Sequence, residues 1–444
     1  MNNLIKKIIS EIEEESKVKI KFFLHIIILN LSIRGRFNFL NMARFGKYNE
    51  KSYRNNFKLG FPFLIFNIAH IKSRKFKELI LVGDASFIKK SGKKTYGLWY
   101  FWSGVASKVL KGLEIHSIGA IDITNNQAYH LHAMQSPLIY LKIFAKAIIL
   151  ELSTGNKQKL IESVIGKKSS TANKVDFYTN HFISNAKELL RLSKYIAYDG
   201  FAYKFNFVDP LCKSGFEIVS KLRKDANLRY IYDGELKVGR GRKKKYGEKV
   251  NLNNPNLKKF DNIYKSDKLT IYSLVVFSVA LKRNIKIAYI LNNNTNKYVI
   301  LFCTDLSLSA YKIFVYYKAR FQIEFLFRDA KQYTGLEHSQ ARDEAKLNYA
   351  FNISLTSVSL AKTIFYKDER NKNKPFSMRN IKVNYYNRLL VEFIFNNSVF
   401  LQTSIKIKQV LDKLNSFGVI THKKDRKRLI KKEVLGERED LNKD

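Results

Sequence analysis

Acidic residues are scarce in this chain, and their scarcity is the first guide to its partners. The 444 residues include 38 Asp and Glu against 80 Lys and Arg, which gives a net charge of +42. A codon bias toward A+T would enrich lysine but leave glutamate equally common, so it does not account for the deficit. The imbalance therefore predicts a polyanionic partner, and nucleic acid is the first candidate.

Cysteines and long apolar runs are also few. The two cysteines, Cys212 and Cys303, lie far apart, which excludes a disulfide framework or a zinc knuckle and indicates a reducing compartment. The longest apolar run, residues 22–33, is interrupted by His25 and Asn30 and is too short to cross a bilayer. Glutamates precede this run, unlike the basic start of a signal peptide. We therefore expect a cytoplasmic protein with no membrane partner.

Apolar residues are plentiful enough for large cores, since 45% of the chain is hydrophobic and 14% is aromatic. Residues 1–75 predict a helical N-terminal DNA-binding region. Within it, residues 38–57 have a helix-turn-helix-like pattern, with a turn at Gly46 and a second helix capped by Asn49. That second helix carries Lys51, Tyr53 and Arg54. Any basic helical hairpin has this pattern, so DNA recognition by this element stays open.

Strand and helix patterns follow over residues 76–223. Strand patterns lie at 79–84, 112–123, 127–134, 195–199 and 215–223, and helix patterns lie at 138–152 and 181–192. This order predicts the α/β class, with a mixed sheet flanked by helices.

Residues 224–310 predict a β-rich insertion into this core. Strand patterns lie there at 228–233, 269–281, 284–291 and 297–305. The densest basic cluster also lies there: Arg240, Arg242, Lys243, Lys244 and Lys245. We predict that this cluster contacts phosphates, and a solvated loop is the alternative. Residues 311–366 are predicted to complete the core, and residues 367–444 a helical C-terminal region with a basic tail.

The segment 316–335 carries four functional side chains at helical spacing. Tyr317, Arg320, Glu324 and Lys331 fall within about 60° of one another if this segment is one helix. Their neighbours are mostly aromatic and aliphatic, so we predict a largely buried helix. A buried Glu324 beside Arg and Lys needs a partner or a metal ion. Gly335 is predicted to cap this helix, and residues 347–365 predict the next one.

Two aspartates end strand patterns in the core. If their strands are neighbours, Asp84 and Asp199 emerge at one edge of the sheet, where Glu324 can join them from a packed helix. Carboxylates without a His or Cys cluster suit Mg²⁺ or Mn²⁺, and two such ions about 4 Å apart catalyse phosphoryl transfer. Taken singly, a strand-end Asp is more often a turn or cap residue. Asp122 and Asp209 are rivals with adequate turn explanations.

Three histidines lie on strand patterns: His116, His130 and His132. We interpret them as packed or surface residues.

The spacing Tyr317-x2-Arg320-x3-Glu324-x6-Lys331 resembles the YREK signature of DDE transposases of the insertion sequence 4 family. The segments that begin at Asp84 and surround Asp199 resemble that family's two aspartate blocks. The resemblance covers residues from about 79 to 345. It departs at Ser86, where the family often has Thr, and in the insertion, which has no Trp. In the family this Trp packs against a flipped base of a hairpin intermediate. Tyr246, Tyr264 or another aromatic residue is a candidate for this role, and the alternative is that no hairpin forms.

The resemblance implies a ribonuclease H-like core, interrupted by the β insertion, that cuts and rejoins transposon ends with two metal ions. It implies that Asp84, Asp199 and Glu324 are catalytic metal ligands for Mg²⁺ or Mn²⁺. It also implies that Tyr317, Arg320 and Lys331 bind DNA phosphates. The implied partners are double-stranded DNA, as terminal inverted repeats and target, and a second copy of the chain in a homodimer. The implied location is the bacterial nucleoid.

Two other functions remain as alternatives. One is a structure-selective nuclease on the same fold, and the other is an inactive, transposase-derived DNA-binding protein.

Overall fold

The computed structural model describes residues 17–136, 174–232, 246–371, 374–397 and Leu411. In this part of the chain the strands form one twelve-stranded mixed sheet with helices packed against it. The predicted helix at 138–152, the basic cluster at 240–245 and the basic tail lie outside the described residues.

The centre of the sheet is consistent with the expected ribonuclease H-like core. Its strands are β1 (Leu79–Lys89), β2 (Trp99–Ser103), β3 (Lys108–Asp122), β4 (Gln127–Gln135), β5 (Tyr195–Ala197) and β6 (Glu217–Lys221). The central order is β4-β3-β1-β5-β6, in which β4, β3 and β1 are antiparallel neighbours and β1, β5 and β6 are parallel ones. The predicted α/β class is confirmed. Strand β2, which pairs with the start of β3, was not predicted.

The strands after β6 extend the same sheet. They are β7 (Leu228–Ile231), β8 (Tyr246–Lys249), β9 (Asp261–Lys265), β10 (Leu269–Ser278), β11 (Arg283–Asn292) and β12 (Tyr298–Cys303). The order continues β6-β12-β11-β10-β7-β8, with β9 on β10. The β-rich segment therefore joins the core edge to edge, through pairing of Leu301 with Lys221. The domain boundaries themselves stay predictions.

The helices cover both faces of this sheet. They are α1 (Lys17–Ser32), α2 (Phe39–Phe45), α3 (Glu50–Lys58), α4 (Phe63–Lys72), α5 (Lys174–Ile183), α6 (Ala186–Leu189), α7 (Phe205–Lys213), α8 (Ala310–Ala319), α9 (Gln322–Tyr333), α10 (Glu344–Lys367) and α11 (Met378–Asn397). Helix α10 is the most buried of the described helices, because every residue from Tyr349 to Thr363 is buried. One apolar core contains residues of α1, α8, α9 and α10, and a second contains residues of α5 and α7. No helix in the described ranges combines the length and apolar character that crossing a membrane requires.

The predicted N-terminal hairpin forms as α2 and α3. Asn49 caps α3, because its side-chain oxygen accepts a hydrogen bond from the Ser52 N–H at 2.9 Å. Tyr53, however, is fully buried and its hydroxyl lies 2.7 Å from His25 Nε2. Tyr53 is therefore a core residue of the hairpin and not a residue available to DNA.

The predicted helix over residues 316–335 is interrupted. Helix α8 ends at Ala319 and α9 begins at Gln322, with Arg320 and Phe321 between them. Gly335 follows α9 with a φ of 77°, so its predicted role at the helix end is confirmed. The break matters because it turns Arg320 from a mid-helix residue into the junction of two helices.

Candidate active site

Asp84 and Asp199 lie at the same edge of the sheet because β1 and β5 are parallel neighbours. Leu81 pairs with Ile196 and Val82 with Ala197, after which β5 ends. Strand β1 continues to Lys89 because β3 pairs with it along its whole length. The expectation that Asp84 ends its strand is therefore wrong. It lies instead just beyond the point where β1 loses its parallel neighbour, which brings it to the level of Asp199.

Asp199 is held by local contacts at the start of a short 3₁₀ turn, Gly200–Ala202. Its Oδ1 accepts a hydrogen bond from the Phe201 N–H at 3.1 Å. The Ser220 hydroxyl donates to the Asp199 carbonyl oxygen at 2.6 Å. These contacts fix the backbone and the carboxylate of Asp199 at the edge of the sheet, and the second carboxylate oxygen has no hydrogen bond within the described part of the chain.

Arg320 links Asp84 to Glu324. Its Nη2 lies 2.9 Å from Glu324 Oε1 and its Nη1 lies 3.7 Å from Asp84 Oδ2. The Arg320 side chain is 15% exposed, whereas that of Glu324 is 41% exposed. The prediction that Glu324 is buried is therefore wrong. It lies in the first turn of α9, where a carboxylate is favoured by the unpaired N–H groups of the helix.

The site concentrates negative charge at a poorly hydrated place. Burial raises the pKa of Asp84 to about 7; the charges of Asp199 and Glu324 add to this effect, and Arg320 opposes it. Burial also raises the pKa of Asp199, against the Phe201 N–H and the charges of Arg320 and Lys204. The carboxylates thus favour a nearby cation, and Arg320 supplies one.

The donor chemistry of this site suits a hard divalent cation, since the available ligands are carboxylate oxygens. Asp84 interacts electrostatically with both Asp199 and Glu324. The three carboxylates do not form a ready-made cluster, however: across the described ranges, no three His, Cys, Asp or Glu side chains are grouped so that they could hold a metal ion. Glu324 Oε1 forms an ion pair with Arg320, so a metal ion that binds Glu324 competes with this ion pair.

Tyr317 and Lys331, the other two of the four side chains at helical spacing, lie in different places. Burial raises the pKa of the Tyr317 hydroxyl, and the charge of the neighbouring Arg320 opposes this effect. Lys331, on α9, contacts β1 beyond Asp84. Its Nζ donates a hydrogen bond to the Phe87 carbonyl oxygen at 2.7 Å and lies 3.7 Å from Glu337 Oε1. Three of the four predicted residues therefore meet, and Lys331 ties α9 to the strand that carries Asp84.

The rival aspartates have structural partners. Asp122 accepts a hydrogen bond from the Thr124 N–H at 3.1 Å, as its predicted turn role requires. Asp209 lies inside α7, where it pairs with Lys213 and Arg283 at 2.8 and 2.9 Å. A turn before Pro210 is thus the wrong explanation for Asp209, although its role is still structural.

The histidines are packed, as predicted. His116 and His132 both hydrogen-bond His181 of α5, at 2.8 and 2.9 Å. His130 hydrogen-bonds Asn352 of α10 at 3.0 Å. We call His116, His181 and His132 the histidine chain. The contribution of His181 was not predicted, because its helical segment has no pattern that relates it to the strands.

Sequence reasoning also missed the basic run at residues 89–94, Lys-Lys-Ser-Gly-Lys-Lys, at the end of β1. Lys90 is drawn inward and its Nζ donates to the carbonyl oxygens of Glu337 and Ser339, at 3.0 and 2.5 Å. The position of this run, directly after the strand pattern that contains Asp84, is the sequence feature that could have identified it.

Residues 166–360 match the family model of the transposase DDE domain. The match supports a transposase function and a polynucleotidyl transferase or endonuclease type of activity. It includes Asp199 and Glu324 and begins after Asp84, which the fold brings beside them. No curated protein matches the chain.

Proposed function

We propose that this protein is a DNA transposase of the insertion sequence 4 type, which cuts and rejoins the ends of its own element. The observation that carries the proposal is the placement of Asp84 and Asp199 at the end of the β1–β5 pairing, with Glu324 joined to Asp84 through Arg320. The match to the transposase DDE domain supports it independently.

Asp84, Asp199 and Glu324 would hold Mg²⁺, or Mn²⁺ in its place, at two positions. The ions supply activation of the attacking hydroxyl and stabilisation of the leaving oxygen at the phosphorus. The chain's own contribution is to fix the ligands: the Phe201 N–H orients Asp199, and β3 holds Asp84 in extended backbone.

Arg320 has a second role in this proposal. Its guanidinium balances the carboxylates, and it is also suited to a DNA phosphate, which it can contact with two N–H groups at once. Tyr317 offers a hydroxyl beside it. An ammonium has three N–H donors, so Lys331 retains donors for a phosphate after its contact with Phe87. The cluster Arg240, Arg242, Lys243, Lys244 and Lys245 adds further phosphate contacts.

The substrates in this proposal are double-stranded DNA, as terminal inverted repeats and as target. Two copies of the chain would act together, one on each end of the element.

The test is strand cleavage and joining with the DNA that flanks the gene, in the presence of Mg²⁺ and a supercoiled target. Asp199→Asn and Glu324→Gln are expected to abolish both reactions while DNA binding persists, because they remove an anionic ligand and keep the side-chain size. Asp122→Asn, a buried aspartate in a turn, is the matched control and is expected to keep both.

Full cleavage by Asp199→Asn or Glu324→Gln contradicts the assignment of the site. Cleavage without joined products identifies the nuclease alternative. DNA binding by the unaltered chain without any cleavage identifies an inactive descendant.

A further inference from the structure

A cleft of about 1180 Å³ opens beyond the carboxyl end of β1. Three segments that are distant in sequence form its walls: the N-terminal helical region, through Arg36 and Arg54; residues 89–95; and residues 337–346, between α9 and α10. The cleft lies outside the carboxylate site.

Lysine and arginine dominate the described lining of this cleft, in which the acidic residues are Glu337 and Asp343. Some of the basic side chains are already used, such as Lys90 on backbone carbonyls and Lys346 on Asp343. Five others are exposed and have no ion pair within the described ranges: Arg36, Lys89, Lys93, Lys94 and Arg342. So many uncompensated cations in one concavity attract a polyanion.

Hydrogen bonds join the three walls, so the backbone segments that carry these cations are held together before any ligand arrives. Lys90 connects the second wall to the third through the carbonyl oxygens of Glu337 and Ser339. The Tyr96 N–H donates to the Arg342 carbonyl oxygen at 2.9 Å. The Phe37 N–H donates to His338 Nδ1 at 3.1 Å, which attaches the first wall. Preorganisation of this kind lowers the entropic cost of binding.

The lining distinguishes between duplex and single-stranded nucleic acid. Single-stranded sites stack bases on aromatic rings, and the described lining of this cleft includes no Phe, Tyr or Trp. A second cleft, of about 980 Å³ beside Asp199, does include Phe201, Tyr203 and Tyr298. Cations without rings fit the sugar-phosphate backbone of a duplex, which is bound without reading its bases.

The position of the cleft relates it to the cutting site. Lys89 follows Asp84 on β1 by five residues, which is roughly 17 Å of extended strand. We propose that this basic cleft binds the phosphate backbone of duplex DNA beside the site at which the DNA is cut. Its relation to the cut strand rests on the proposed function, whereas binding of the duplex does not.

The test compares two triple variants, both in an Asp84→Asn background so that cleavage plays no part. The first, Lys93→Gln/Lys94→Gln/Arg342→Gln, removes three unpaired cations of the cleft. The control, Lys72→Gln/Lys75→Gln/Lys77→Gln, removes three exposed lysines at the other end of β1, roughly 30 Å away. The probe is a fluorescein-labelled duplex of mixed sequence, and its affinity is measured over a range of salt concentrations.

The cleft variant is expected to bind at least about tenfold more weakly, and its slope of log affinity against log salt is expected to fall by about 2–3. The control is expected to keep the slope of the parent protein. A charge-preserving variant, Lys93→Arg/Lys94→Arg/Arg342→Lys, is expected to keep it too, which separates lost charge from lost folding.

An unchanged slope in the cleft variant overturns the inference, and so does an equal loss in the control. The two proposals fail separately. If the unaltered protein does not cleave DNA but the salt dependence of binding falls in the cleft variant, the transposase proposal fails and the duplex site stands. If cleavage occurs and the slope is unchanged, the duplex site fails alone.

Discussion

Two polar clusters lie on opposite faces of the same pair of strands, and they manage their polarity differently. Asp84 on β1 faces Arg320 and Glu324, whereas His116, on the neighbouring strand opposite Ala85, faces α5 and joins the histidine chain. Successive side chains of a strand point to opposite faces, so a shift of one position separates the two. The carboxylate site contains the charged Arg320 and is in contact with solvent through Glu324, which is 41% exposed; the histidine chain is neutral and enclosed.

The two clusters contribute differently to the stability of the fold and to the binding of ligands. Burial lowers the pKa of His116 to about 3 and that of His132 to about 4, so both rings are neutral and their hydrogen bonds belong to the fold. Burial raises the pKa of Asp84, and its carboxylate neighbours raise it further. Carboxylates that disfavour each other's ionised form contribute little to the stability of the fold and are well suited to binding a cation. We therefore expect the two clusters to respond in opposite ways to substitution.

The largest effect is expected at Asp84. Asp84→Asn should lower metal-dependent cleavage by about 10³-fold or more, because it removes an anionic ligand where charge develops. It should change the free energy of unfolding by no more than about 1 kcal/mol, since the lost charge was opposed by its neighbours. Cleavage assays and urea denaturation measure the two quantities. Loss of stability by several kcal/mol, with cleavage retained, would make the carboxylates structural.

The histidine chain should show the reverse behaviour. His181→Ala leaves ring nitrogens of His116 and His132 without their partner and opens a cavity beside β3. We expect a loss of about 2–4 kcal/mol in the free energy of unfolding, with DNA cleavage per folded molecule unchanged. Urea denaturation measures the loss, and cleavage at low temperature measures the activity. A stable variant without cleavage would place His181 in the reaction and erase the contrast.

The histidine chain is also expected to make stability depend on pH. The folded pKa values of His116, His132 and His181 lie below the ordinary value of 6.5, so the unfolded chain binds protons first as pH falls. Stability is therefore complete above about pH 6.5 and declines toward pH 4, by up to about 1.4 kcal/mol per pH unit for each histidine. Calorimetric melting temperatures at several pH values measure it, and His181→Ala should flatten the decline. An equally steep decline in that variant would assign the acid sensitivity to other groups.

The sequence predicted the parts of this site that depend on short-range pattern. Hydrophobic alternation located β3, β4 and the strand of Asp199, and the stop after two apolar strands indicated both aspartates. The local pattern could not show that β1 continues past Asp84, because that extension depends on pairing with β3, which is a separate segment of the chain.

Contacts between distant segments account for the other differences. The spacing of Tyr317, Arg320 and Glu324 is compatible with one helix, and nothing local indicates the break at Arg320. His181 and the walls of the basic cleft come together only through the fold. Residue type and spacing therefore indicate candidates such as Arg320 and Glu324, whereas contacts made by tertiary packing leave no pattern in the sequence.

The smallest expected effect concerns Arg320, whose charge sets the carboxylate site apart from the histidine chain. Arg320→Gln frees the oxygen of Glu324 and removes the cation beside Asp84, so Mn²⁺ should bind more tightly. The gain is at most about fivefold, because a partly exposed ion pair contributes roughly 0.2–1 kcal/mol. Cleavage should fall nonetheless, since the phosphate loses its planar donor, and Arg320→Lys should not restore it fully. Paramagnetic resonance of Mn²⁺ measures the affinity without DNA. Weaker Mn²⁺ binding in Arg320→Gln would mean that the guanidinium organises the carboxylates for the metal and does not compete with it.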